Sequence, residues 1–179
     1  KVQASNAGKY DTFGRDVSID GDYAIIGSPG EDSNGANTGA VYFFERQGDV
    51  WVQVKFVGDP DGKLLDRFGT TVSISGNYAV VGTPYASANA LSNSGSITIF
   101  ERKGDVWMKV QKMVALDAKQ DEKYGLDVEI CGNYIVVGAT REDTNGTNAG
   151  AVYIIERRLS GTWIQVQKIA TLDGDLSKG

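Results

Sequence analysis

Two short polar segments of the sequence carry residue types that could bind a cation or a sugar. Residues 31–37 and 142–148 share the pattern Glu-Asp-x-Asn-Gly-x-Asn, in which carboxylate and amide oxygens alternate around a glycine. Oxygen ligands of this kind suit Ca²⁺, and they also hydrogen-bond sugar hydroxyls. The candidate ligand-binding residues are Asp32, Asn34, Asn37, Asp143, Asn145 and Asn148. The candidate metal ligands are Glu31, Asp32, Asn34, Glu142, Asp143 and Asn145.

The same two segments have a second interpretation as solvated turns. Asp, Asn and Gly are the residues that turns use for conformational reasons alone. The corresponding segment 85–93 lacks the pattern, so building the fold does not require it. Binding and simple turn formation therefore both stay open, and calcium is a possible rather than a required cofactor.

Three tryptophans and two aspartates are further candidates. Trp51, Trp107 and Trp163 could stack on sugar rings, but their even spacing favours a shared packing role. Asp16 and Asp127 stand at the start of equivalent strands and could face a ligand or solvent.

The composition excludes several classes of protein. The 179 residues include no histidine and one cysteine, Cys131, which removes histidine-based triads, intrachain disulfides and thiolate zinc clusters. No repeated pair of carboxylates, activated serine or phosphate-binding glycine loop is recognisable, so a non-catalytic protein is predicted. A net charge of −5 argues against nucleic acid as a partner.

No apolar run is long enough to span a membrane. No signal peptide is recognisable at Lys1, as expected of a mature form, an excised domain or a cytosolic protein.

An internal repeat sets the organisation of the whole chain. Aromatic-glycine pairs, tryptophans, Glu-Arg pairs and single glycines all recur at intervals of 55–56 residues. The aromatic-glycine pairs are Phe13-Gly14, Phe68-Gly69 and Tyr124-Gly125. The sequence therefore predicts one repeat domain, 1–179, with units at about 10–65, 66–120 and 121–175.

Each unit is predicted to contain four strands, a to d. Strand a alternates polar and β-branched residues, and a Gly-containing two-residue turn leads to the apolar strand b, which we expect to be buried on both faces. A loop of about ten residues leads to strand c, and strand d is predicted to start at the tryptophan and to have one face exposed to solvent. A repeated antiparallel unit of four strands is typical of a β-propeller blade. The predicted fold is all-β.

The motifs resemble those of the FG-GAP repeat family. The resemblance rests on Phe13-Gly14, Ile26-Gly27-Ser28-Pro29 and Gly39-Ala40-Val41-Tyr42, and it covers residues 10–175. It implies blades like those of integrin α-subunit heads and of related secreted propellers, some of them lectins. Many blades of that family carry a calcium loop between strands a and b. Here Asp20-Gly21-Asp22 is too short to wrap a cation with six to eight ligands, so the chain is similar to the calcium-free, bacterial-type branch.

Three blades are too few to close a ring, because propellers usually have four to eight. The chain is therefore predicted to be a piece of a longer propeller or a homo-oligomer, rather than an open stack. The resemblance implies a non-catalytic module that is extracellular, secreted or on the cell surface, and that binds proteins or other macromolecules, as in cell adhesion, through its loops. The alternatives are a carbohydrate-binding lectin and an architectural domain of a larger secreted protein.

Overall fold

The computed structural model describes residues 1–59, 61–144 and 146–170. These residues form three four-stranded antiparallel sheets, each built from four consecutive strands in chain order. Blade 1 contains β1 (Val17–Asp20), β2 (Tyr23–Ser28), β3 (Ala40–Gln47) and β4 (Val50–Gly58). Blade 2 contains β5 (Thr71–Ser75), β6 (Tyr78–Thr83), β7 (Ser96–Lys103) and β8 (Val106–Met113). Blade 3 contains β9 (Asp127–Cys131), β10 (Tyr134–Ala139), β11 (Ala151–Arg157) and β12 (Trp163–Ala170).

The predicted all-β fold is confirmed, with three blades that do not close into a ring. Each sheet lies within the range predicted for one unit, although residues 171–175 of the third unit fall outside the described residues. Across the part of the chain that the structure describes, no helix is long and apolar enough to cross a membrane.

The turn between the first two strands of each blade depends on glycine. Gly21, Gly76 and Gly132 have φ values of +56°, +57° and +58°. Such values match the right-handed twist of the flanking strands in a two-residue hairpin, and residues with a Cβ disfavour them. The three hairpins therefore have the same geometry and set the register of each sheet from its first strand.

Blades pack on one another through apolar side chains of their facing surfaces. One core joins Ile25 and Phe43 of blade 1 to Val72 and Trp107 of blade 2. The ring of Trp107 stacks on that of Phe43, with centroids 4.5 Å apart. An equivalent core joins blade 2 to blade 3. Trp107 and Trp163 therefore pack at the two interblade joints, as the packing interpretation predicted.

The prediction that strand b is buried on both faces is wrong for blade 3. In β6, residues 79–81 are all buried, because blades lie on both sides of that strand. In β10, Val136 is 40% exposed, and Tyr134 beside it is also exposed. The reason is that no described residue covers this face of blade 3.

Candidate functional site

The polar segment of blade 1 uses its side chains to hold its own backbone. The Glu31 carboxylate is buried and accepts hydrogen bonds from the Ser33 amide at 3.1 Å and from Asn6 Nδ2 at 3.0 Å. Asp32 Oδ1 accepts the Asn37 amide at 2.7 Å. Asn34 turns away and donates to the Asp59 carbonyl at 3.1 Å. The hydrogen bonds of Glu31 and Asp32 hold the turn of residues 31–37 in one conformation.

The polar segment of blade 3 repeats part of this arrangement. Asp143 Oδ1 accepts the Asn148 amide at 2.5 Å. The buried Glu142 carboxylate accepts the Thr144 amide at 3.0 Å and lies 2.9 Å from Lys168 Nζ. Burial raises the pKa of Glu142, but hydrogen bonds from Thr144 and Lys168 outweigh it and lower the pKa to about 2. The remaining candidate of this segment, Asn145, lies outside the described residues.

Calcium binding at these segments stays a prediction. Of the described residues, no three or more His, Cys, Asp or Glu side chains group together as a metal site would require. The carboxylates of Asp32 and Asp143 already accept loop amides. A thermal melt with and without added Ca²⁺ tests the point, because a bound ion raises the melting temperature.

The loops between the second and third strands also join consecutive blades. In blade 1 the Ala36, Asn37 and Thr38 carbonyls accept amides from the segment that leads into blade 2. The donors are Leu65, Arg67 and Phe68, at 3.1, 3.1 and 2.9 Å. In blade 2 the carbonyls of residues 92–94 accept the amides of Asp121, Lys123 and Tyr124 in the same way. The loops of blades 1 and 2 therefore each hold the segment that leads into the next blade.

A cationic surface lies beside these joints, and the sequence analysis did not predict it. A pocket of about 180 Å³ between blades 1 and 2 is lined by Thr12, Arg15, Pro29, Gly30, Asn37 and Arg67. The Arg67 guanidinium lies 5.1 Å from the centroid of the Tyr85 ring, and Lys123 Nζ lies 4.8 Å from the same centroid. We call Arg15, Arg67, Tyr85 and Lys123 the cationic patch.

The cationic patch has free hydrogen-bonding capacity. Arg15 and Arg67 are exposed, and neither forms an ion pair with another described residue. Arg67 and Lys123 directly precede the aromatic-glycine pairs of their units, a signal that the sequence did contain. Arg15 has Thr70 and Leu126 at the equivalent positions, so a repeat comparison does not reveal it.

Three of the other sequence candidates, Trp107, Trp163 and Asp16, have structural roles. Trp107 and Trp163 are 2% and 1% exposed, which removes them as stacking platforms for a sugar. Asp16 Oδ2 accepts the Val72 amide of the next blade at 2.7 Å. Asp127 is exposed on blade 3.

Comparison with known families agrees with this architecture. A family model described as FG-GAP repeat matches residues 1–44, 51–100 and 107–155, most of the chain. No match was found among curated proteins. The second and third matches begin at the tryptophan of one blade and end in the third strand of the next, so the sequence unit spans an interblade joint. The chain belongs to the FG-GAP repeat family.

Proposed function

We propose that the chain is a non-catalytic, extracellular or surface-exposed propeller module that binds acidic segments of other macromolecules through the cationic patch. The observation that carries this proposal is the pair of exposed guanidinium groups, Arg15 and Arg67, beside one small pocket. Guanidinium groups present forked donors that fit carboxylates.

Two further features support an acidic ligand. The chain has a net charge of −5, so the three cations Arg15, Arg67 and Lys123 form a positive region on a protein that is negative as a whole. Asn37, which also lines the pocket, and Tyr85, between Arg67 and Lys123, add a polar and an aromatic contact. Tyrosine and arginine are enriched where protein partners bind.

The experiment uses a fluorescein-labelled peptide of eight glutamates and an equally long lysine peptide as probes. We expect fluorescence anisotropy to show binding of the glutamate peptide alone, with affinity falling as salt rises. The double substitution Arg15→Ala and Arg67→Ala should weaken binding at least tenfold. Lys55→Ala is the matched control, because Lys55 is an exposed cation of the outer strand of blade 1. Equal affinity for the wild type and the double variant would overturn the proposed site.

The lectin alternative is less well supported, because two of the three tryptophans that suggested it are buried. A glycan array in which the wild type binds and the Asp32→Ala variant does not would restore it. An architectural role is the third alternative, which binding of the glutamate peptide would argue against.

A further inference from the structure

The cationic patch lies across two equivalent interblade joints, the first between blades 1 and 2 and the second between blades 2 and 3. Arg67 and Lys123 precede the aromatic-glycine pairs of units 2 and 3, and both have a φ of +57°. Their amides donate to the carbonyls of Asn37 and Asn93, each at 3.1 Å. The backbone therefore places the side chain of Arg67 at the first joint as it places that of Lys123 at the second.

A tyrosine ring lies at the second joint. Tyr85 follows β6 and is partly buried. Its ring centroid lies 5.1 Å from the guanidinium carbon of Arg67 and 4.8 Å from Lys123 Nζ. A cation over a ring is attracted by the negative potential of its π electrons. The second joint therefore shows which group this arrangement of cations receives, namely the face of an aromatic ring.

The first joint has a pocket where the second joint has this ring. Gly30 follows Pro29 as Tyr85 follows Pro84, so Gly30 is the equivalent of the tyrosine. Gly30 and Arg67 both line the pocket of about 180 Å³, which we call the first-joint pocket. Drug-sized ligands need about 300–1,000 Å³, so a pocket of this size suits a single side chain.

The chain does not supply a ring to the first-joint pocket. A Cβ built on Gly30 would lie 2.3 Å from the Tyr10 carbonyl oxygen, so the close approach of two backbone segments requires glycine there. The neighbouring Tyr10 side chain is 77% exposed and does not line the pocket. A ring in the first-joint pocket would therefore come from another molecule.

The first joint also carries a cation that the second joint lacks. Arg15 lines the first-joint pocket, whereas its equivalent at the second joint is the buried Thr70. The Thr70 hydroxyl donates to the Arg67 carbonyl at 2.7 Å. Arg15 is exposed and forms no ion pair with another described residue. Its guanidinium can therefore pair with a carboxylate that flanks a ring in the pocket.

We propose that the acidic segment bound by the cationic patch carries an aromatic side chain, whose ring enters the first-joint pocket and packs against Arg67. A carboxylate beside that ring pairs with Arg15. This inference rests on the proposed function, because it names the residue type that anchors an acidic segment on the patch. The chemical class of the ligand is thus a peptide segment with an aromatic residue between acidic residues.

The test compares three fluorescein-labelled peptides of equal charge, each with four glutamates on either side of a central serine, leucine or tyrosine. We expect fluorescence anisotropy to show an affinity at least tenfold higher for the tyrosine peptide than for the serine peptide. The leucine peptide should bind at least threefold more weakly than the tyrosine peptide, because leucine offers no ring face to a cation. A tyrosine peptide that binds no more tightly than the serine or the leucine peptide would overturn the inference.

Two variants assign the ring and the carboxylate to different arginines. Arg67→Asn removes the cation and suits the left-handed backbone, which asparagine tolerates. It should abolish the preference for the tyrosine peptide over the serine peptide. Arg15→Gln should weaken the binding of both peptides and retain the preference. Lys55→Gln, at an exposed position of β4, is the matched control and should leave both affinities unchanged.

A preference for tyrosine that survives in Arg67→Asn would overturn the placement of the ring. Melting temperatures equal to that of the wild type confirm that the variants are folded. Arg67→Gly, which also suits the left-handed backbone, replaces Arg67→Asn if that variant melts early.

The serine peptide separates this inference from the proposed function. If the serine peptide binds and the tyrosine ring adds no affinity, the proposed function stands and the aromatic ligand is wrong. If none of the three peptides binds the wild type, both are wrong. Amide NMR spectra add a readout of position, because the tyrosine ring should shift the Gly30 resonance and the leucine peptide should not. A Gly30 resonance that stays in place at saturating tyrosine peptide would contradict the proposed pocket.

Discussion

The internal joints and the outer faces of blades 1 and 3 are built from equivalent residues but differ in what covers them. Tyr23 packs against Trp107 at the first joint, with ring centroids 6.3 Å apart, and Tyr78 against Trp163 at the second, 5.6 Å apart. Trp51 and Tyr134 hold the same positions on opposite faces of the molecule. The comparison shows that each blade carries the residues for packing against a neighbour on either side, whether or not a described blade lies there.

The tryptophans give the largest contrast between the two regions. Trp107→Ala removes a buried ring that stacks on Phe43, so we expect a loss of about 3–5 kcal/mol in the free energy of unfolding. Trp51→Ala removes a half-buried ring and should cost the single chain clearly less. Urea unfolding at low protein concentration measures both. Equal losses of unfolding free energy in the two variants would mean that burial of the tryptophan at the joint does not determine its contribution to stability.

The glycines give the second contrast. Gly82→Ala forces a Cβ against the Gly125 backbone and should cost about 3 kcal/mol, near the upper end of the usual cost of overpacking. Gly138→Ala should change the unfolding free energy of the single chain by no more than about 0.5 kcal/mol. The same urea series decides the matter. A large loss at Gly138 would show that this position is already crowded within one chain.

The strand-edge carboxylates give a smaller contrast. Asp16→Ala leaves the Val72 amide without its acceptor at a partly buried joint, and we expect a cost of about 1–3 kcal/mol. Asp127→Ala, at the equivalent exposed position, should be nearly neutral in the single chain. If both variants unfold like the wild type, the interblade hydrogen bond contributes nothing measurable.

A further expected effect is the acid dependence of the braced loop in blade 3. The pKa of Glu142 falls from 4.5 to about 2 on folding, so its contribution is present above pH 4.5 and is lost as the pH falls towards 2. Glu142→Gln should therefore flatten the fall in stability between these pH values. Thermal melts across this range, with Glu156→Gln as the control, measure the difference. An unchanged acid profile in Glu142→Gln would contradict the assigned role.

Much of the fold could be predicted from the sequence, because periodic signals determine it. The aromatic-glycine pairs and the Gly21 hairpin fix the strands through turn geometry and alternation, which are local properties. The exposure of Val136 could not be predicted, because it depends on which blade follows.

The candidate site was harder to predict than the fold. Turn-forming and ion-binding residues are the same residue types, so the pattern at 31–37 cannot distinguish the two roles. The cationic patch combines Arg15 with Arg67 of the next unit, and only folding brings them to one pocket.

The most direct test of the central claim, that the strand edges at the internal joints are closed by the neighbouring blade, compares amide hydrogen exchange at Ile74 and Ile19. The Ile74 amide donates to Ser18 across the first joint at 3.1 Å and should be protected from exchange. Ile19, whose amide points away from β2 at the outer edge of blade 1, should exchange faster than Ile74. Ser18→Ala should speed exchange at Ile74 without affecting Ile19. An Ile74 amide that exchanges as fast as that of Ile19 in the wild type would contradict the account.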